Sequence, residues 1–192
     1  MDSVGKSRFW AAVPSEDLSI RKIHSGLPAM IVERLADIVI ADLDGIDLGN
    51  KQQTQLGDAI AQDNYFDELL GDSITEALVT GDGAFKITID TNVTEYPIIE
   101  FYSGDQVDYK RERGRLQEVL FFTDYRYKNK DYRLEESYGF NYIRSRLLND
   151  QGKEVPLGTI PDTAELQPEI TFDGDFIMAL PLMFFRSKKW PG

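Results

Sequence analysis

The chain has 192 residues, 42% of them hydrophobic and 28% charged, which suits one well-cored domain with a subsidiary lobe and excludes a disordered chain. It contains no cysteine and a single histidine, so disulfide frameworks, thiolate metal sites and multi-histidine centres are excluded. The formal net charge of −12 argues against tight, direct DNA binding, because neutralising phosphates is the main source of that affinity.

Residues 1–22 lack helical or strand periodicity and read as an N-terminal arm, and residues 1–20 hold no apolar run of the kind a secretory signal needs. A first helix is predicted over 26–41, capped by Ser25 and tolerant of Pro28 in its early turn. Its stripe of Leu27, Met30, Ile31, Leu35, Ile38 and Val39, interrupted by Arg34, predicts a buried face. Asp42-Leu43-Asp44-Gly45 reads as a turn, and a second helix runs over about 52–62 to a break near Asp63-Asn64. The next segment, NYFDELLGDSITEALVTGDGAFKITID, is a helix that stops on glycines and runs straight into a strand. Phe66, Leu69, Leu70, Ile74, Ala77 and Leu78 share one face, while Asp67, Glu68, Asp72, Thr75 and Glu76 fall opposite. Gly81 and Gly83 form the structural turn, both being residues that tolerate positive φ, and residues 84–89 alternate as a half-buried strand would.

Beyond Gly83 the character is β, with strands predicted over residues 84–89, 96–102, 107–111, 116–127, 132–138 and 141–148 as an antiparallel meander. Charged turns at Arg111-Glu112-Arg113-Gly114 and Lys128-Asn129-Lys130 separate some of them, and Asn149-Asp150-Gln151-Gly152 closes a hairpin. Within 119–127 both faces carry apolar residues at one end, Val119 and Phe121 on one and Leu120 and Phe122 on the other, so that end is expected to be covered on both sides. Residues 156–168 read as a long loop, followed by 170–172 and by an apolar run over 176–185. That run is far short of the ~20 residues a membrane helix needs and reads as a buried strand. The fold class is therefore α+β: helices of residues 23–83 packed on an antiparallel β-rich lobe of residues 84–192.

Charge is unevenly spread. Residues 1–109 hold 7 basic and 20 acidic residues, residues 110–146 hold 10 and 6, and residues 147–192 hold 4 and 7. Aromatic and basic residues interleave through Tyr125-Arg126-Tyr127-Lys128 and on through Lys130, Tyr132 and Arg133, a pattern found in single-strand platforms and more often in protein interfaces. We take Arg126, Lys128, Lys130 and Arg133 as candidate subunit-interface residues.

The catalytic and ligand motifs fail on inspection. Gly5-Lys6-Ser7 lacks the strand and upstream glycine of a phosphate loop, and Lys86 stands where Gly81-Asp82-Gly83 would need its third dinucleotide-fold glycine. Asp42, Asp44 and Asp47 miss calcium-loop spacing, Asp173-Gly174-Asp175 reads as a turn, and His24 beside Ser25 is adjacency rather than a triad. Acidic residues number 33, which supplies many carboxylate pairs and singles out none. No catalytic, cofactor-binding or metal residue is assigned, and the chain is not expected to be an enzyme.

Three segments in order, IHSGLPAMIVERLADIV at 23–39, the helix, glycine turn and strand reading ALVTGDGAFKI, and IIEFYSGDQVDYKRERGRLQEVLFFT at 98–123, resemble the portal proteins of tailed bacteriophages. The resemblance spans roughly residues 23–123 and implies the wing region, with a stem helix, clip and crown following beyond Gly192 in a longer chain. It implies a structural subunit of a ring, usually of twelve copies, at the capsid vertex of the virion, assembled in the host cytoplasm. Such a ring docks the terminase, contacts scaffold and major capsid protein, and later receives the head-to-tail adaptor; DNA passes through it without tight binding, and no membrane is involved. The alternative from a different class is a small β-rich carbohydrate- or peptide-binding module, which a concave aromatic pocket would favour.

Overall fold

A computed structural model of the protein describes residues 26–41, 49–174 and 176–183. The expectations placed on Gly5-Lys6-Ser7, His24-Ser25 and Asp42 to Asp47 lie outside those residues.

Among the described residues three helices come first: α1 (Leu27–Ala41), α2 (Lys51–Asp63) and α3 (Phe66–Thr80). Asn50 caps α2, its side-chain oxygen accepting from Gln52 N–H at 2.8 Å, which satisfies one of the donors a helix start leaves free. The break expected at Asp63-Asn64 is the α2–α3 junction, where Tyr65 takes a left-handed φ of 48°. On α3 the expected face is the one covered: Ser73, Ile74 and Ala77 are buried, while Asp67, Glu68, Asp72 and Glu76 are exposed.

The β part forms two sheets rather than the single meander expected. The first has the order β2-β1-β9, from β1 (Asp82–Thr88), β2 (Ile98–Ser103) and β9 (Ala179–Met183), all antiparallel. The second runs β3-β4-β5-β6-β7, from β3 (Val107–Glu112), β4 (Arg115–Tyr127), β5 (Lys130–Gly139), β6 (Tyr142–Asn149) and β7 (Glu154–Val155), with β8 (Glu169–Thr171) also on β6. Two-residue turns join β3 to β4, β4 to β5 and β5 to β6, as the pairs Glu112 with Arg115, Tyr127 with Lys130 and Gly139 with Tyr142 require. The six strands expected between residues 84 and 148 agree with β1 to β6 to within two residues, whereas β7 is not among them.

β1 is central in its sheet, and this overturns the half-buried alternation expected for it. Gly83, Ala84, Phe85 and Lys86 are all buried, because α3 covers one face and the second sheet the other. On the helix side Phe85 packs between Phe66 and Phe101, with ring centroids at 6.2 and 5.2 Å. On the other side Ala84 and Ala179 meet Val107, Val119, Phe121 and Tyr138 of the second sheet. A second cluster, Leu134, Leu147 and Ile160, lies toward the other end of that sheet.

Four further expectations change. Gly81 has φ 101° and ends α3, but Gly83 is a strand residue opposite Ser103; a Cβ there would meet the Phe101 ring and lie 2.7 Å from the Tyr102 carbonyl oxygen. The stretch 156–168 holds two 3-10 turns, Leu157–Thr159 and Pro161–Thr163, and buries Ile160 and Thr163 completely. The apolar run contributes an edge strand in which Ala179 is buried and Leu180 is exposed. Finally, α1 sits on α3 through Ala36, half-buried Val32 and Val39, and Ile40 near Gly71, leaving Leu27, Met30, Ile31, Leu35 and Ile38 exposed by 46–60%.

Candidate functional surface

The four residues singled out as an interface occupy one hairpin, β4–β5. Lys128 and Asn129 form its turn with φ of 49° and 60°, both left-handed, the geometry that matches the twist of a two-residue hairpin. Arg126 and Arg133 stand on neighbouring strands, and each has a carboxylate beside it. Arg133 makes a two-pronged contact to Asp124 at 2.7 and 2.9 Å, and Arg126 lies 3.8 Å from Asp131. The hydrogen bonds from Arg133, with its charge, hold the Asp124 carboxyl below its usual range and push the Arg133 guanidinium up. The Lys128 ammonium sits over the Tyr127 ring at 4.9 Å, and Lys130 is exposed.

These pairs belong to a longer ladder across the sheet. Lys110 meets Glu118 at 2.8 Å, Arg144 meets Glu169 at 3.1 Å, and Arg146 meets Glu135. Burial works against the Glu118 charge, yet hydrogen bonds from Lys110 and Tyr142 bring its pKa below the usual carboxylate value. Tyr142, partly buried and donating to Glu118, is pushed up to about 12. Five of the ten basic residues in 110–146, namely Lys110, Arg126, Arg133, Arg144 and Arg146, thus have a carboxylate on an adjacent strand.

Among the described residues, the end of the β3–β4 ribbon carries cations without such partners. Residues 110–115 read KRERGR, and the register carries the ribbon past the Glu118–Gly139 pair that ends β5. Arg111 lies over the Tyr109 ring at 5.7 Å. Arg113, at φ 49°, and Arg115 are exposed, and neither side chain makes a hydrogen bond or ion pair among the described residues. The sequence marked this stretch only as a charged turn; strand register and carboxylate placement distinguish it from the other tip.

An interior polar cluster escaped the sequence reading altogether. Lys86 of β1, 6% exposed, donates to Tyr102 Oη at 2.8 Å and to Glu136 Oε2 of β5 at 3.2 Å, with Glu100 Oε2 at 3.5 Å and the Tyr102 ring centroid at 4.6 Å. Burial alone would lower the lysine pKa, but the Glu136 charge, the Tyr102 hydrogen bond and Glu100 together raise it. Tyr109 adds a second link between the sheets by donating to the Gly83 carbonyl at 2.6 Å. Contacts from Lys86 to β2 and to β5 make the cluster a staple between the two sheets.

A groove of ≈ 630 Å³ lies between the β4–β5 tip and the turn after β6. Charged side chains, Asp124, Arg126, Asp131, Arg133 and Asp150, line it beside Tyr125 and Tyr132, so its lining residues are mainly polar. Among the described residues no group of three or more His, Cys, Asp or Glu could hold a metal ion, and no helix is long and apolar enough to cross a membrane. No protein-family model matches this sequence, and no curated protein matches it.

Proposed function

We propose that the chain is the wing part of a tailed-phage portal subunit, a non-enzymatic structural component of the ring through which DNA enters and leaves the capsid. Three segments carry the likeness in the family's order, and helices on an antiparallel β lobe are the architecture it implies. The observation that weighs most is the exposed apolar stripe of α1. Five large side chains along one helix exceed the scattered apolar exposure ordinary for a monomer, as a subunit surface awaiting cover would.

In the assembled vertex the partners are further copies of the chain, the terminase, scaffold, major capsid protein and head-to-tail adaptor. Neighbour contacts in a ring are heterologous, and the basic hairpins of the second sheet, β3–β4 and the β4–β5 hairpin with Arg126, Lys128, Lys130 and Arg133, are the two candidate surfaces for one side of them. The test is native mass spectrometry and electron microscopy of the chain in its natural full-length context. Closed rings, disrupted by Leu35→Asp with Ile38→Asp while the variant's circular dichroism stays parental, are the expected result. A full-length protein that remains monomeric at all concentrations would overturn the reading.

A further inference from the structure

We infer that the β3–β4 ribbon is the cationic half of a head-to-tail contact with a second copy of this chain, received by the carboxylates along that copy's α3. The inference rests on the assembly reading above and names the surfaces that reading leaves open. Four of the six residues from Lys110 to Arg115 are basic and one is acidic, on a ribbon carried beyond the body of the sheet. Lys110 is satisfied by Glu118, whereas Arg113 and Arg115 are not satisfied by any carboxylate among the described residues. At the opposite tip Arg126 and Arg133 already have Asp131 and Asp124, so an incoming carboxylate would have to displace a partner there.

The complementary surface is on the same chain. Glu68, Asp72 and Glu76 recur one helical turn apart on the exposed side of α3, and none forms an ion pair among the described residues. Like charges at that spacing repel one another, and Asp72 and Glu76 lie beyond the first turn, where the helix dipole ceases to favour them. A cation arriving from another molecule removes that repulsion. Ribbon against ribbon would oppose like charges, so the ribbon must meet a different patch of its partner, and in the ring of the assembly reading that contact runs head to tail.

The cysteine-free sequence makes the test direct. Gln117→Cys places a thiol on the ribbon, Val79→Cys places one beside the α3 carboxylates, and Asn129→Cys places one at the other tip, with every charge retained. Mixed pairs are treated with a short bismaleimide while native mass spectrometry reports assembly in the same samples. Ribbon-to-α3 linkage should exceed tip-to-α3 linkage about fivefold and fall as salt shortens the Debye length. Arg113→Glu with Arg115→Glu should abolish the excess, and Asp72→Arg with Glu76→Arg on the partner should restore it. Assembly with equal or reversed linkage, and equally an absence of linkage, would overturn the ribbon; the subunit reading stands or falls separately, on the ring test of the chain in its longer natural context. Submicromolar binding of a short DNA duplex at physiological salt, lost in the Arg113→Glu, Arg115→Glu variant, would reassign the ribbon to nucleic acid.

Discussion

Lys86 of the first sheet and Glu136 of the second are joined by a 3.2 Å ion pair inside the protein, at side-chain exposures of 7% and 10%. A buried pair of this kind is weak evidence for net stability, but losing one member strands the other. Lys86→Met should therefore destabilise the fold by about 3–5 kcal/mol, and Lys86→Met combined with Glu136→Leu by much less. Denaturant midpoints of the two variants and the parent decide it. A single variant as stable as the parent would mean that water reaches Glu136.

The same cluster sets an alkaline limit. Lys86 has a raised pKa in the folded protein, so its contribution is complete below the unfolded value of about 10.4 and declines as pH rises from there toward the folded value. Tyr138 and Tyr109, raised chiefly by burial, act in the same direction, because unfolding lets them ionise near pH ~10. Stability should be flat from neutral pH to about 10 and fall above it. Tyr138→Phe should lessen that slope, and an unchanged slope would remove Tyr138 from the account.

Asn64 works as a substitute strand. Its Oδ1 accepts from Ile99 N–H at 2.7 Å, and its Nδ2 donates at 2.9 Å to the carbonyls of Pro97 and Ile60, tying the α2–α3 junction to the start of β2. Asn64→Ala leaves Ile99 N–H and the Pro97 carbonyl without this partner, while the Ile60 carbonyl keeps the backbone N–H of residue 64, and should destabilise the fold by about 1–3 kcal/mol. Asn64→Asp keeps the acceptor and loses the donor, so it should not rescue. Thermal unfolding of both variants is the measurement.

Helices and strands were legible in this sequence because local periodicity specifies them. The covered face of α3 came from residues three and four apart, and the β4 and β5 ranges from alternation between charged turns. What was not legible depends on distant pairing. β9 joins β1 through contacts such as Asp82 with Met183, and that pairing makes β1 a central strand, while β2 and β3 do not pair and so leave the β part as two sheets. The α1 stripe misled for a related reason: periodicity shows that a helix has an apolar face, while neighbours decide what covers it. On the candidate surface, composition located the basic segment, but only register showed that Asp124 and Asp131 answer Arg133 and Arg126.

Gly81 and Gly83 should respond differently to the same change. At Gly81 the φ of 101° is the difficulty, and nothing stands within 4 Å of a Cβ, so Gly81→Val should cost about 1–3 kcal/mol in backbone strain. At Gly83 the backbone is ordinary and the difficulty is space, since the Phe101 ring and the Tyr102 carbonyl occupy it. Gly83→Val must displace the aromatic stack on β1 and should be the more damaging, with even Gly83→Ala poorly tolerated. If Gly83→Ala has the parental denaturant midpoint, β2 is not held against β1 as closely as the structure places it.

The turn Lys128-Asn129 separates fold stability from association. Both residues hold left-handed φ, a conformation that Asn-Gly adopts with less strain than Lys-Asn. Lys128→Asn with Asn129→Gly should stabilise the hairpin by about 0.5–1 kcal/mol and raise the melting temperature by a few degrees. The double change also removes one exposed cation from the tip. If the β3–β4 ribbon carries the contact between copies, self-association of this more stable variant stays at the parental level by analytical ultracentrifugation. A rise in melting temperature accompanied by weaker association would instead make Lys128 an interface residue whose strained backbone is kept for what its ammonium does.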